Sequence, residues 1–462
     1  MSDSVFRVLD PATGSVVVER PFATEREVHA ALDRAQGARR SWAATPLTQR
    51  IAAVSAFVDA FMAERAAAAQ EITAQMGRPT RWAPGEVGGF EQRARHMLSI
   101  AEASLADQVP DPIAGFDRRI VRRPHGVVLV LSPWNYPLLT AVNAVVPALV
   151  AGNVVLLKHS DQTPLCAERF SATARKAGLP SGVLEHIHAS HPHVARMVAD
   201  ERVNHVCFTG SVTGGRIVQQ AAGDRFIGVG LELGGKDAAY VRADADLDFT
   251  APNLVEGALF NSGQSCCGLE RLYVHTDVYD AVLERLAGSV ESWRPGDPTH
   301  PDTWMGPVVR PRNAQAIRAQ VDAALAAGAR DLVPPTTPDT PGSASVQPRI
   351  LLDVDHQMTV MREETFGPVV GVMRVRSDAE AIAHINDSAF GLTASVWSAD
   401  ADAAHAMSAA LDVGTVFLNR CDYLDPALPW VGVKASGRGV TLSSLGYAAL
   451  TRPQSLHFRM RN

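Results

Sequence analysis

Apolar residues recur at helical spacing through most of the first hundred positions of the chain. Residues 25–36 and 47–76 place them three or four positions apart, in stretches rich in alanine. Alanine has the highest intrinsic helix propensity, and this spacing gathers apolar side chains on one face of a helix. The pattern therefore predicts a helix over each range.

The pattern changes at residue 127, where short runs of β-branched and other apolar residues alternate with helical segments. Strand candidates lie at residues 127–131, 154–157, 183–187, 205–208 and 227–230, and helices begin near Leu138, Pro164 and Val212. Alternating strands and helices predict a parallel sheet with right-handed crossovers. We expect a doubly wound, Rossmann-like unit of the kind that binds nucleotides.

A second α/β unit is predicted over residues 235–436, with strand candidates at 272–274, 369–372 and 415–418. The Pro-, Thr- and Ser-rich residues 334–345 are typical of a surface loop. The predicted fold class is α/β. A length of 462 residues suffices for two to three domains of ordinary size.

Composition narrows the functional classes. The chain is 46% hydrophobic and 20% charged, as expected of a globular protein with an ample core, and its formal net charge of -6 argues against nucleic acid as a partner. No apolar run reaches the ~18 residues that a membrane span needs. Residues 1–4 lack the pattern of a secretory signal, and five cysteines indicate reduced thiols. We expect a cytoplasmic enzyme.

A cysteine and a glutamate supply the strongest candidate chemistry. Cys266 follows the Gly-rich turn Asn261-Ser262-Gly263-Gln264-Ser265, and Glu232 lies in Leu231-Glu232-Leu233-Gly234-Gly235-Lys236. A thiolate that attacks a carbonyl, with a carboxylate that activates water to release the thioester, would complete an acyl-forming reaction. A lone cysteine is more often a buried structural thiol, so this pair alone does not decide the function.

Three further segments favour a catalytic role for this pair over a structural one. Asn135 follows the strand candidate at 127–131 and could donate its amide to a developing oxyanion. Gly210 and Ser211 follow another strand and open a helix, a place suited to phosphate. Glu364, in Glu363-Glu364-Thr365-Phe366-Gly367-Pro368, could hold a ribose. Five sparse motifs in this order make coincidence improbable.

With these motifs the chain resembles the aldehyde dehydrogenase superfamily over essentially its whole length, from Asp10-Pro11-Ala12-Thr13-Gly14 onward. Within it, the segments at 261–268 and 419–426 look most like the lactaldehyde-dehydrogenase-like branch, which includes semialdehyde dehydrogenases. The resemblance implies NAD(P)+-dependent oxidation of a small polar aldehyde to its acid. Cys266 would be the nucleophile, Glu232 the base that activates the deacylating water, and Asn135 the oxyanion donor.

The resemblance also implies a set of cofactor contacts without a Gly-x-Gly-x-x-Gly fingerprint. Lys158 would contact the adenosine ribose and Glu364 the nicotinamide ribose, with Phe366 at the same end. The remaining predicted contacts are Trp134, Gly210, Ser211 and Leu233.

Two departures from the family pattern bear on the cofactor. The segment Lys158-His159-Ser160-Asp161 ends in an aspartate, which can bond a ribose 2′-hydroxyl but repels a 2′-phosphate less than a longer glutamate would. We therefore expect NAD or NADP, with NAD favoured. A Gly-rich loop is replaced by a Pro-containing loop with His188, His191 and His193, for which no metal is expected, because no carboxylate or Cys stands at ligand spacing. These histidines would border the adenosine end.

Substrate selection rests on two arginines that the resemblance places around the aldehyde tunnel. Arg93 and Arg420 could clamp a carboxylate, which suits succinic semialdehyde. The alternative for Arg93 is an exposed helix face, since Glu91, Gln92 and Arg95 are polar too. Lactaldehyde would need only a polar partner for its hydroxyl.

Other functions stay open from the sequence. An enzyme that passes the thioester to coenzyme A is the first alternative, and the intact Glu232 argues against it. A non-catalytic binding protein on the same fold is the second, and a cysteine hydrolase the third. The neighbouring Cys267 either packs in the core or protects Cys266 by a reversible disulfide, while Cys166, Cys207 and Cys421 are expected to be packed.

The resemblance implies a division of the chain. Residues 1–110 and 129–234 would form the dinucleotide-binding domain and 235–436 the catalytic domain. A hairpin within 111–128 would join residues 437–462 in an oligomerisation element, giving a homodimer or homotetramer.

Overall fold

Two mainly parallel sheets organise the computed structural model, which describes residues 5–460. Residues 1–4, for which no secretory pattern was expected, and residues 461–462 of the predicted oligomerisation element lie outside the described residues. The helices are Glu25–Ala44, Leu47–Met62, Arg65–Met76, Ala83–Ser99, Ala101–Leu105, Pro137–Val150, Pro164–Lys176, His191–Ala199, Val212–Ala221, Leu247–Leu259, Tyr279–Val290, Pro311–Ala326, Thr359–Arg362, Asp378–Asn386, Ala401–Ser408 and Ser443–Ala449, with a 3₁₀ turn at Phe260–Gly263.

The first sheet has six strands, and five of them run parallel. Their spatial order is Gly437–Arg438, Gly228–Glu232, His205–Thr209, Val127–Ser132, Val154–His159 and Leu184–His186, with only the first antiparallel to its neighbour. Successive side chains of a strand point to opposite faces. Val128 and Val130 accordingly join one hydrophobic cluster, while Leu129 and Leu131 join another on the opposite face. This sheet confirms the predicted α/β class.

The second sheet has seven strands, in the spatial order Arg330–Asp331, Arg349–Leu352, Val369–Val375, Leu269–His275, Asp237–Val241, Thr393–Trp397 and Thr415–Leu418. Again alternate residues of one strand enter different cores: Ala238 and Tyr240 on one side, Ala239 and Val241 on the other. Residues 334–345 contain no helix or strand, in agreement with the predicted loop.

The segments outside these sheets correct parts of the predicted organisation. The range 111–128 contains no hairpin: its strand Phe116–Pro124 pairs antiparallel with Thr451–Arg459, and its last two residues begin another strand. Strand Val127–Ser132 belongs to the first sheet, so a boundary after residue 128 would cut through it. Gly437 and Arg438, expected in the oligomerisation element, pair instead with Glu232 and Leu231. Two further antiparallel pairs join Val5–Leu9 to Val16–Pro21 and Phe390–Gly391 to Val433–Lys434.

The predicted helices are real, but their bounds differ. The first continues past residue 36 to Ala44, and its start is fixed by Thr24, which forms a capping box with Glu27. The range 47–76 holds two helices, Leu47–Met62 and Arg65–Met76. Among residues 5–460, no helix combines the length and apolarity that crossing a membrane would take.

Candidate active site

A cavity of ≈ 670 Å³ is lined by two residues of the first sheet, Thr209 and Glu232, together with helices Ala83–Ser99, Pro137–Val150 and Leu247–Leu259 and the loops 265–267 and 419–424. Four residues predicted from the sequence line it: Cys266, Glu232, Arg93 and Arg420. They come from four separate parts of the chain, and the fold brings them to one chamber. Asn135 is buried immediately beside it, on the segment that follows strand Val127–Ser132.

The segment before Cys266 is held in an unusual backbone conformation. Asn261, Ser262 and Gly263 have φ values of 54°, 58° and 69°, the left-handed region that costs roughly 1–2 kcal/mol for a residue with a side chain. A Cβ on Gly263 would lie 2.1 Å from the carbonyl oxygen of Gly367, so only glycine fits there. The turn ends at Gln264 and leaves Cys266 partly exposed on the cavity wall.

The neighbouring thiol has a different environment. Cys267 is buried and its Sγ donates to Asp422 Oδ1 at 3.0 Å. Hydrogen bonding with Cys266 and burial raise the pKa of the Cys267 thiol well above its usual value. Cys267 is therefore a protonated donor, and Cys266 is the cysteine of the pair with the more open position. Asp422 also accepts from Ser265 Oγ at 2.7 Å, which ties the loop of Arg420 to residues 261–266, the segment of the predicted nucleophile (the nucleophile segment).

Asn135 contacts the nucleophile segment directly. Its Nδ2 donates to the carbonyl oxygen of Gln264 at 3.2 Å. Its own carbonyl oxygen accepts from Arg78 Nη2 at 2.6 Å and from Asn261 Nδ2 at 3.1 Å. Because an amide nitrogen has two N–H donors, one remains for another acceptor.

Glu232 stands at the end of its strand between two hydroxyl donors. Thr209 Oγ1 donates to Oε2 at 3.0 Å and Thr441 Oγ1 donates to Oε1 at 2.5 Å. Burial raises the pKa of the Glu232 carboxyl, against these two hydrogen bonds and the charge of Arg93, which act in the other direction. A carboxylate with a raised pKa is a better proton acceptor than an exposed glutamate.

A buried ion pair beneath the cavity was not predicted from the sequence. Arg78 and Glu86 are both buried and contact each other through Nη1 and Oε2. Arg78 Nε also donates to Asn261 Oδ1 at 3.0 Å, while Glu86 Oε1 accepts from the backbone N–H of Leu138 at 2.8 Å. The pair thus fixes the Asn135 segment against the nucleophile segment. Arg78 and Glu86 are eight positions apart, but no pattern in the sequence indicates that both are buried or that Arg78 meets Asn261.

Glu86→Gln is expected to destabilise the protein by about 3–5 kcal/mol, because it leaves the Arg78 charge buried without a counter-charge. Urea unfolding followed by circular dichroism measures the change. Glu19→Gln is the matched control, since the ion pair of Glu19 with Arg7 is exposed, and its midpoint should equal the wild-type value. Equal midpoints for both variants would mean that the buried pair contributes no net stability.

Arg93 lies on helix Ala83–Ser99 and is only 8% exposed, which contradicts the alternative of an exposed helix face. Its two side-chain hydrogen bonds both leave from Nη1, to Leu139 O at 3.0 Å and Asn143 Oδ1 at 3.2 Å. Within residues 5–460 no carboxylate forms an ion pair with it, and burial lowers its pKa, against the charges of Glu232 and Glu86, which act in the other direction. Arg420 is exposed, and its guanidinium stacks on the ring of Tyr423 at 3.4 Å.

The predicted cofactor residues fall into two groups at the carboxyl edge of the first sheet. Lys158 Nζ pairs with Asp161 at 2.9 Å, just after strand Val154–His159. Ser211 caps helix Val212–Ala221 by accepting from the N–H of Gly214 at 3.1 Å, and the N–H of Gly210 donates to Glu232 O at 3.0 Å. Free N–H groups at such a helix start suit a phosphate.

The second group lies nearer the nucleophile. The rings of Trp134 and Phe366 meet edge to face, with centroids 5.6 Å apart. Glu364 Oε1 accepts from the N–H of Gly235 at 3.2 Å, and burial raises the pKa of its carboxyl to about 8. Leu233 is buried and packs where a Cβ on Gly215 would stand.

One more buried ion pair supports this second group and was also missed. Glu270 accepts from Lys236 Nζ at 2.5 Å and from the backbone N–H of Phe366 at 2.8 Å. The segment 364–366 is thereby anchored to the strand that follows the nucleophile. Lys236 was visible as the last residue of the Glu232 motif, yet nothing in the sequence indicated its partner.

The histidine-rich segment differs from its prediction in part. His188 precedes a helix that begins at His191, so His191 and His193 belong to helix His191–Ala199 rather than to a loop. His188 Nε2 contacts Glu168 Oε1 at 3.0 Å. No group of three or more His, Cys, Asp or Glu side chains is placed to hold a metal ion in the described part of the chain.

Comparison with known proteins places these features in a wider group. A sequence model of the aldehyde dehydrogenase family matches residues 1–456. The chain is 36% identical to a succinate-semialdehyde dehydrogenase [NADP(+)] of Deinococcus radiodurans over 446 residues, 96% of this chain and 93% of the relative. It is 35% identical to succinate-semialdehyde dehydrogenase [NADP(+)] 1 of Mycobacterium tuberculosis, over 95% of this chain and 96% of the relative.

The fold is shared as well. The crystal structure of succinic semialdehyde dehydrogenase from Streptococcus pyogenes in complex with NADP+ superposes with a TM-score of 0.94. The two sequences are 29% identical, and the match covers 98% of this chain and 100% of that one. The resemblance found in the sequence motifs is confirmed, including its semialdehyde branch. The names of these relatives do not support a preference for NAD.

Proposed function

The chain belongs to the aldehyde dehydrogenase family, and from that premise we propose that it oxidises succinic semialdehyde to succinate with NADP+ as the hydride acceptor. The observation that supports this substrate is Arg93: a buried guanidinium, facing the cavity of Cys266, with no carboxylate in an ion pair with it among residues 5–460. Burying a charge is costly unless it is paired, so this site favours an anion from the substrate.

Cys266 begins the reaction. Its thiolate adds to the aldehyde carbon, and the resulting oxyanion accepts hydrogen bonds from the free N–H of the Asn135 amide and from the backbone at Cys266. When bound, the nicotinamide cofactor supplies the acceptor for the hydride that leaves this carbon. The product on Cys266 is a thioester.

Glu232 completes the reaction by activating the water that releases the acid. The carboxylate takes a proton from water, whose oxygen attacks the thioester carbonyl. The C–S bond then breaks, the acid leaves and the thiolate of Cys266 is restored. The two threonine hydroxyls that donate to Glu232 orient its carboxylate, and its raised pKa makes it an effective base at neutral pH.

The residues present also fit a dinucleotide. Ser211 at its helix start is suited to the diphosphate, and the Trp134–Phe366 pair with Glu364 forms a partly apolar wall for the nicotinamide end. The cation of Lys158 neutralises Asp161, which removes much of the repulsion that a lone aspartate would exert on a 2′-phosphate. This pairing, together with the names of the relatives, supports NADP+ over NAD+.

Initial rates of NAD(P)H formation test the proposal. Succinic semialdehyde, L-lactaldehyde, glycolaldehyde and propanal are each combined with NADP+ and with NAD+, and Cys266→Ala provides the blank. The highest kcat/KM is expected for succinic semialdehyde with NADP+. A higher value for lactaldehyde or glycolaldehyde would reject the carboxylate site, and no thiol-dependent signal with any pair would reject the dehydrogenase activity.

Arg93→Met is expected to lower kcat/KM for succinic semialdehyde about 10–100-fold, since a hydrogen bond to a charged group contributes about 1.5–3 kcal/mol. Propanal, which has no carboxylate, should react at the wild-type rate. The matched control is Arg95→Met on the same helix, because Arg95 contacts Asp59 and Glu91 on the outer side. An equal loss for both aldehydes would instead indicate damage to the site as a whole.

Lys158→Met is expected to raise KM for NADP+ by about 10-fold or more while changing KM for NAD+ less than about threefold, because the cation lost is the one beside Asp161. The two constants come from initial rates at saturating aldehyde. Lys176→Met serves as the control, since Lys176 is exposed at the end of helix Pro164–Lys176. A parallel rise in both constants would show that Lys158 does not distinguish the two cofactors.

A further inference from the structure

A second cavity of ≈ 200 Å³ lies behind Glu232. Three residues line both this cavity and the one that contains Cys266: Thr140, Thr209 and Glu232. Glu232 therefore forms part of the partition between the two spaces. One water molecule occupies about 30 Å³ in the liquid, so the second cavity has room for several.

His205 is the notable polar side chain of this second cavity. It is 7% exposed, and its Nδ1 has no hydrogen-bond partner among residues 5–460. The same nitrogen lies 2.4 Å from where a Cβ on Gly228 would stand, so a side chain at residue 228 would meet the ring, and both residues line the cavity. A buried polar atom without a protein partner is usually satisfied by ordered water.

The second cavity also reaches toward the surface. Arg438 and Gly439 line it and are both exposed, and Thr441 joins the same wall to Glu232 through its 2.5 Å hydrogen bond. The cavity thus extends from the carboxylate, past a row of hydroxyl and imidazole groups, to an exposed turn.

We propose that the second cavity holds the water chain through which Glu232 loses its proton after deacylation, and that His205 is the residue that positions this chain. The proposal rests on the proposed function, because it assumes that Glu232 takes the proton from the attacking water.

Deacylation releases two protons. Water gives one proton to Glu232 as its oxygen bonds to the thioester carbon, and the C–S bond breaks to leave the Cys266 thiolate. The carboxylic acid product ionises into the first cavity and releases a second proton there. The proton on Glu232 passes along hydrogen-bonded water in the second cavity to solvent at the exposed turn, and Glu232 is again a carboxylate.

The surroundings of His205 suit a positioning residue that stays neutral. Burial and the neighbouring His125, whose ring stacks on it at 4.7 Å, lower the pKa of His205 to about 3. The charged groups that line the same cavity are Glu232 and Arg438. A neutral imidazole has one donor and one acceptor nitrogen, so it can orient water without trapping the proton.

His205→Leu removes both nitrogens at little change in volume, and His205→Gln restores a donor and an acceptor. Rapid-quench measurement of acyl-enzyme decay, beside the burst of NADPH, separates deacylation from acylation. We expect His205→Leu to keep the burst and slow decay about 10-fold, with a larger solvent deuterium isotope effect, and His205→Gln to recover most of the rate. His125→Leu, which alters the stacking partner outside the cavity, should decay at the wild-type rate.

Glu232→Gln separates the role of Glu232 as the base from the role of the water chain. Slow decay in Glu232→Gln with wild-type decay in His205→Leu would overturn the water chain and keep the proposed function. Wild-type decay in Glu232→Gln would overturn the role of Glu232 as the base and, with it, the water chain. Equal slowing in His205→Leu, His205→Gln and His125→Leu, with a common fall in thermal midpoint, would assign His205 to packing alone and overturn the proposal.

Discussion

Cys266→Ala is expected to lower kcat for succinic semialdehyde by at least about 10⁴-fold, because removing a covalent nucleophile removes the whole thioester route. The matched variant is Cys267→Ala, one position further along the chain. Cys267 is buried and donates to Asp422, so its loss should alter packing and leave kcat within about 10-fold of wild type. Initial-rate NADPH formation measures both.

Comparing the two variants shows which of the neighbouring thiols is the nucleophile. If Cys267→Ala lost the activity and Cys266→Ala kept it, the nucleophile would have been assigned to the wrong sulfur. A further variant, Cys267→Ser, tests the predicted protective disulfide, because peroxide inactivation that dithiothreitol reverses should occur in wild type and be absent in Cys267→Ser.

Glu232→Gln is expected to slow deacylation by about 10²–10⁴-fold while leaving the first turnover intact, since general base catalysis contributes about that much. A rapid burst of NADPH equivalent to the enzyme concentration, followed by a slow steady rate, is the expected time course. Glu256→Gln is the control, because Glu256 lines the same cavity without contacting the nucleophile segment. Loss of the burst would indicate that Glu232 acts on the thiol instead.

The pH profile adds a second readout for Glu232. The base must be ionised to accept a proton, so deacylation should fall as pH decreases through the pKa of Glu232. Because burial raises that pKa, the fall should begin at a higher pH than for an exposed glutamate, and the steady rate should lose this limb in Glu232→Gln. A limb unchanged by the substitution would belong to another group.

The first sheet was predictable because its strands are buried on both faces. Such strands are nearly continuous apolar runs, and strand Val127–Ser132 is buried at all six positions. The helix break at Ala63 and Glu64 was not predictable, since both residues favour helices and no Gly or Pro interrupts the pattern. Tertiary packing, rather than local propensity, ends the helix there.

The candidate site, like the fold, was predictable from the sequence only in part. Cys266 and Glu232 stand in short motifs, so the sequence alone predicted both, and the structure brings them to one cavity. Arg93 lies among polar residues on its helix, and its burial depends on helix Pro137–Val150, whose Leu139 and Asn143 accept its hydrogen bonds. Partners such as Arg78 and Asn261 are 183 positions apart, beyond what spacing along one chain can indicate.

The contact between Thr441 and Glu232 has a consequence for synthesis on the ribosome. A nascent chain that has emerged as far as residue 430 contains the thiol, the oxyanion amide and the cofactor sheet apart from its edge strand Gly437–Arg438, but lacks the hydroxyl that orients the base. Such an intermediate could consume aldehyde once and then stay acylated. Such a chain would remain in the acyl form until the sheet edge closes and brings Thr441 to Glu232.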